Sequence, residues 1–158
     1  MVVLFYGDAQ RGKVIDLINQ IKREKEMLLR INEAYQLYVT VKAVEKIKGD
    51  IAEVGVYQGG SAKLICEAKG EKTLHLFDTF EGIPEVDRFD HNDFSQGQFA
   101  ASMESVKIYL RNYANVFLYK GIVPESAEPV KNYLFSFVHL DVDTYSSTKD
   151  CLNFFTLD

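Results

Sequence analysis

Cysteine is scarce in this chain: two in 158 residues, Cys66 and Cys151. Both stand in apolar, helix-like contexts, so a disulfide framework is excluded and a reducing, cytoplasmic setting is expected. No apolar run approaches the length needed to span a membrane, and the stretch from Met1 to Tyr6 is too short for the apolar region of a signal peptide. An excess of positive charge is lacking too. Lys and Arg number 18 against 23 Asp and Glu, a net charge of −5. Neither nucleic acid nor an anionic membrane surface is therefore an expected partner. The one basic stretch, Lys22-Arg23-Glu24-Lys25, is interrupted by an acid and reads as a solvated helix face. Internal repeats and low-complexity segments are also absent. A chain of this length then makes one domain with a real core.

What is present centres on residues 49–61, GDIAEVGVYQGGS. Ile51, Ala52, Val54 and Val56 surround a single acid, Glu53, which reads as a buried parallel strand carrying a carboxylate near its end. Gly55, Gly59 and Gly60 predict a tight turn without Cβ atoms, where a ligand can approach the backbone. Ser61 is expected to start the next helix, through Leu64 and Ala68. Strand, glycine turn and helix N-terminus together predict a small-molecule site at the carboxyl edge of an α/β sheet. The competing reading is a turn whose glycines serve packing alone.

Residues 13–48 carry a helical stripe through Val14, Ile18, Ile21, Met27, Leu28, Ile31, Ala34 and Tyr38, with a break expected near Asn32. This N-terminal segment, residues 1–48, offers no chemistry and reads as packing, a lid or a dimer surface. Residues 49–158 form the α/β unit. Strands are predicted at 73–77, 116–119 and 134–140, and helices at 99–113 and 146–155. Residues 79–98 form a long polar loop bearing Phe80, Phe89 and Phe94, expected to act as a lid. The succession predicts a doubly wound, largely parallel sheet.

Acids sit at three strand ends: Glu53, Asp78, and the pair Asp141 and Asp143. Parallel strands bring such ends to one edge. Asp78, at the end of the second strand, suits the ribose hydroxyls of a nucleoside cofactor, and a cap is its alternative role. Asp141 and Asp143, two apart, are expected to face one side of a cleft, as a general base or with a divalent cation, a cap or salt bridge being the alternative. His75 and His139 lie inside strands and read as structural. His91 in the lid is a candidate substrate contact.

Three motifs then carry a resemblance. Glu53-Val-Gly55-Val-Tyr57-Gln-Gly59-Gly60-Ser61, Phe77-Asp78-Thr79-Phe80-Glu81-Gly82-Ile83-Pro84 and His139-Leu-Asp141-Val-Asp143-Thr-Tyr145 resemble, in order, those of the macrocin O-methyltransferase family. The first is also similar to the turn of catechol-type, metal-dependent O-methyltransferases. The resemblance implies a Rossmann-like, class I fold using S-adenosylmethionine (SAM), acting on a hydroxyl of a small sugar-like or polyhydroxylated acceptor with magnesium assistance. It implies that Glu53, Gly55, Tyr57, Gly59, Gly60 and Ser61 hold the methionine portion of SAM. Asp78 would bind the ribose, beside Thr79 and Phe80, and Gly121 and Ile122 would border the adenine. Asp141 would be a magnesium ligand and Asp143 the general base.

In the family the last helix leads to a further strand and a second acidic pair. This sequence stops at Asp158, so the expectation is a chain lacking the last strands, with weak magnesium binding and little or no methyl transfer of its own: a fragment, or one whose open sheet edge or N-terminal helices meet a second copy. Two alternatives stand beside this reading. One is a non-catalytic SAM-binding or assembly domain. The other is an NAD(P)-binding oxidoreductase domain, against which the turn argues because it lacks GxGxxG spacing.

Overall fold

A computed structural model of the chain describes residues 8–84, 86, 90 and 94–156. Two helices come first, α1 (Asp8–Glu24) and α2 (Ile31–Ala43). Then follow β1 (Asp50–Val54), α3 (Gly60–Ala68), β2 (Leu74–Asp78), α4 (Met103–Leu110), β3 (Val116–Lys120), a 3-10 turn over Glu125–Val130, β4 (Phe135–Leu140) and α5 (Tyr145–Phe155). All strand pairs are parallel and the sheet order is β3-β2-β1-β4. The expected doubly wound sheet is present.

The order has a consequence for function. From β1 the chain moves outward through β2 to β3, then returns to place β4 on the other side of β1. That reversal opens a crevice beyond the carboxyl ends of β1 and β4, where ligands of such sheets bind.

Burial explains the apolar wording of β1. Ile51 and Glu53 face the side covered by α1, α2 and α3, and Ala52 and Val54 face the side covered by the 3-10 turn and α5. On the first side Val14, Ile18 and Ile21 of α1 and Ala34, Leu37 and Val41 of α2 join Leu64, Ile65, Leu74 and Leu76 in one cluster. The N-terminal helices thus share the core of the sheet. Truncating a fully buried residue such as Ile18 would cost about 2–5 kcal/mol.

Local boundaries differ from the sequence reading in three places. The N-terminal break covers 25–30, a few residues before Asn32, and the Glu33 carboxylate accepts the Arg30 N–H at 2.7 Å to start α2. The helix expected over 99–113 spans only Met103–Leu110, because Ser102 caps it by accepting the Ser105 N–H at 3.2 Å. Ser61 is not the cap of α3. Gly59 holds that position in a left-handed conformation, and Ser61 is buried in the first turn.

Candidate functional site

The crevice holds a cavity of about 330 Å3. The glycine turn forms its floor. Gly55 has φ +89°, and a Cβ there would stand 2.0 Å from the Asp141 carbonyl oxygen. A Cβ on Gly60 would stand 2.8 Å from the Met27 side chain. Glycine is therefore required at both positions by neighbouring chain.

Asp78 clamps this turn. Its Oδ2 accepts the N–H groups of Val56 at 2.6 Å and Tyr57 at 2.9 Å, and its Oδ1 accepts that of Phe80 at 2.8 Å. The Thr79 hydroxyl donates to the Gly82 carbonyl at 2.6 Å. Thr79 Oγ1 also stands 3.4 Å from Oδ1, but its single proton is directed at Gly82, so one lone pair of Oδ1 is left for a ligand hydroxyl. The cap role and the cofactor role are compatible in one carboxylate.

Glu53 lies behind the floor, fully buried, with Oε1 at 3.1 Å from His139 Nδ1 and Oε2 without a partner among the described residues. Burial raises its carboxyl above the ordinary range, against the pull of His139 and the nearby Ser61 hydroxyl. Burial works to lower the His139 imidazole, but the Glu53 hydrogen bond and charge, with that of Asp141, carry it upward. The pair joins β1 to β4 in register.

The far wall is the turn after β4. Asp141 N–H still donates to the Val54 carbonyl at 2.9 Å, and Asp141, Val142 and Asp143 all line the cavity. Burial raises the Asp141 carboxyl, opposed by His139 and helped by Glu33. Asp143 is raised by burial and then by Asp141.

Most of the expected site residues meet here. Gly55, Tyr57, Gly60, Ser61, Asp78, Thr79, Gly121, Ile122, Asp141 and Asp143 all line the cavity. Three stand behind it. Glu53 supports the floor, Gly59 packs near Val106 and Tyr109, and the Phe80 side chain joins the core. His75 is buried away from the cavity, paired with Asp50 at 3.0 Å and the Tyr119 hydroxyl at 3.0 Å. His91 and Phe89 lie outside the described residues.

Sequence reasoning missed one wall. The connection between α1 and α2 brings Glu26, Met27, Leu28 and Leu29 to the cavity, with Glu33 from α2. It is moored to the glycine turn: Tyr57 Oη donates to Glu26 Oε2 at 2.7 Å, and Glu26 N–H donates to Gln58 Oε1 at 3.1 Å. The Tyr57 ring meets Phe99 edge-on at 5.7 Å. No motif marks this segment; its one signal is a break in helical periodicity ahead of an apolar Met-Leu-Leu run.

Among the described residues no group of three or more His, Cys, Asp or Glu is arranged to hold a metal ion. Asp141 and Asp143 alone supply two of the six oxygen positions that magnesium takes, so this donor set does not fit a resident ion. Among the same residues no helix is long and apolar enough to cross a membrane.

Comparison with known proteins bears out the fold class. CalS11, a calicheamicin methyltransferase, superposes with a TM-score of 0.61 at 19% identity, covering 96% of this chain and 74% of its own. An apo structure of CalS11, described as TDP-rhamnose 3'-O-methyltransferase, gives 0.53 at 17%, with coverages of 96% and 74%. An O-methyltransferase from Bacillus cereus, in complex with S-adenosylhomocysteine (SAH), gives 0.54 at 13%, with coverages of 96% and 64%. The fold is that of the class I SAM-dependent methyltransferases. Residues 28–156 match the model of the macrocin O-methyltransferase family, and the chain belongs to that family. A curated relative from Streptomyces olivaceus, 8-demethyl-8-(2,3-dimethoxy-alpha-L-rhamnosyl)-tetracenomycin-C 4'-O-methyltransferase, is 28% identical over 141 residues, 79% of this chain and 54% of the relative. The chain spans about half the length of that relative.

Proposed function

We propose that the cavity binds SAM and that the chain carries the methyl-donor half of an O-methyltransferase acting on a sugar hydroxyl. One observation carries the reading: the Asp78 carboxylate, the glycine turn and the Asp141–Asp143 pair border one cavity at the point where strand order reverses. In this reading one ribose hydroxyl donates to the free lone pair of Asp78 Oδ1. Gly121 and Ile122 flank the adenine, and the amino-terminal turn of α3 at Gly60 and Ser61 receives the methionine carboxylate. The relatives' names, with rhamnosyl and TDP-rhamnose acceptors, support a sugar as acceptor.

The acceptor oxygen would attack the SAM methyl carbon in line with the departing sulfur. The carbon–oxygen bond forms as the carbon–sulfur bond breaks, and its electron pair stays on sulfur to give SAH. The hydroxyl proton passes to a carboxylate. Asp143 suits that role, because burial and the Asp141 charge raise its affinity for a proton. Proximity within the cavity supplies the rest. Magnesium, which the family resemblance implied, enters no step, since the described donors fall short of its shell. A second copy of the chain would dock across the outer edge of β4 or the N-terminal helices.

The test is SAM-dependent methylation of methyl α-L-rhamnoside by a form extended past Asp158 to the length of the relatives, followed by mass spectrometry. Transfer in wild type and its loss in Asp143→Asn, with SAH affinity kept, supports the reading. Undiminished transfer in Asp143→Asn removes that residue as base.

A further inference from the structure

The connection between α1 and α2 leads a carboxylate to the cavity. Met27, in that connection, lies against Gly60 at the start of α3. Leu28 and Leu29 follow on the cavity wall, and α2 then begins with Glu33 in its first turn, also on the wall. Glu33 Oε2 accepts the Arg30 N–H, which fixes the carboxylate at the head of the helix. That bond engages one oxygen, so Oε1 can still accept from a ligand.

A second carboxylate faces it. Asp141 lines the same cavity from the turn after β4, held there by its N–H on the Val54 carbonyl. Burial raises the Asp141 carboxyl, His139 pulls it down, and the Glu33 charge raises it again. Asp141 bears in turn on Glu53 behind the floor as a like charge. Two carboxylates on different elements thus repel across the opening, and a cation between them would relieve both.

The cofactor of the proposed reaction brings that cation. The amino-acid end of SAM and SAH carries a carboxylate and an ammonium on one carbon, so their receptors must be neighbours. The start of α3, under Met27, is assigned above to the carboxylate. The ammonium has donors only and needs acceptors beside that place.

Resting on the methyltransferase reading, we infer that Glu33 receives the α-ammonium of the methionine portion of SAM, with the Asp141 charge facing it from the other wall. The N-terminal helices then supply a cofactor contact as well as packing. Loss of Glu33 acts on the amino-acid end of the cofactor and leaves ribose and adenine untouched.

A cycle between residue and ligand group tests this on the chain as it stands. The probes are SAH and its deamino analogue, SAH with the α-ammonium replaced by hydrogen. SAH is titrated directly in a calorimeter and the analogue by displacement of SAH, each against wild type and Glu33→Gln. Glutamine keeps an oxygen for the Arg30 N–H, so α2 stays capped. SAH is expected to weaken about fivefold in Glu33→Gln and the analogue not at all. Equal weakening of both ligands is disturbance of α2 and overturns the inference, as does unchanged SAH affinity. The cycle is repeated at about 1 M salt, where the screening length is about 3 Å. A contact keeps about half of the effect there or more. An effect that vanishes belongs to the general field of the wall and overturns the contact. Failure of wild type to bind SAH defeats the methyltransferase reading itself, and the inference falls with it. SAH binding that Glu33→Gln leaves unmoved relative to the analogue defeats the inference alone.

Discussion

Gly55 and Asp141 meet backbone to backbone, so closely that a single methyl group on Gly55 would overlap the Asp141 carbonyl. The turn after β1, proposed to hold the cofactor, and the turn after β4, proposed to receive the acceptor, are therefore one mechanical unit. Donor and acceptor sides share a floor, which suits a reaction that depends on in-line placement.

Gly55→Ala is accordingly expected to act on both stability and binding. The substitution forces either a strained left-handed alanine or separation of the two turns, at a cost of about 2–4 kcal/mol. Urea unfolding should register that loss, and SAH affinity should fall at least about tenfold. A variant as stable as wild type would show that the contact is slack in solution.

Asp78 carries two duties, and they can be separated. Asp78→Asn keeps one acceptor oxygen but no charge, so SAH binding should weaken by about 1.5–3 kcal/mol. Hydrogen exchange at the Val56 and Tyr57 amides should speed up at the same time. Faster exchange with unchanged affinity would leave Asp78 as a turn clamp only.

Acid stability should depend on Glu24. Its carboxylate accepts from Lys63 Nζ at 2.6 Å and Tyr109 Oη at 2.7 Å, tying α1 to α3 and α4. The Lys63, Tyr109 and Gln20 hydrogen bonds hold its pKa at about 2, below the ordinary 4.5. A depressed carboxylate stabilises the fold above its unfolded pKa, and that contribution fades as pH falls toward the folded value. Glu24→Gln should therefore be less stable than wild type by about 1 kcal/mol at neutral pH, with the gap closing between pH 4.5 and about 2. A gap that persists at pH 2 would point to packing in place of charge.

Cofactor affinity should be indifferent to metal. The contacts proposed for SAM are backbone groups, Asp78 and Glu33, and no metal-holding group occurs among the described residues. Titration with SAH in EDTA and in excess magnesium should give the same dissociation constant. A large gain with magnesium would mean that Asp141 and Asp143 bind the ion strongly enough to shape the cofactor end.

How much of this was legible in the sequence follows from the range of each signal. β1 could be read because burial on both faces demands an unbroken apolar run around Glu53. The glycine turn could be read because close approach by Asp141 and Met27 leaves only glycine at Gly55 and Gly60. The acids at strand ends needed no contact map, since parallel strands align their ends. The Glu26–Leu29 wall was hidden because it reaches the cavity through tertiary packing against Tyr57 and Gln58, which no local period records. The Glu53–His139 pair was hidden for a similar reason: its partners are 86 residues apart and meet only through β1–β4 register. The cap of α3 was misread because serine is a better N-cap than glycine in general. Here the left-handed turn favoured Gly59, and Ser61 was drawn inward beside Glu53.

The central claim is that this cavity is a SAM site, and calorimetric titration of the chain with SAH, with NADH run in parallel, tests it most directly. The account predicts saturable one-to-one binding of SAH with a dissociation constant on the order of 1–100 μM, and no saturable heat with NADH. Saturable NADH binding with none for SAH would contradict the account and return Asp78 and its glycine turn to the dinucleotide reading.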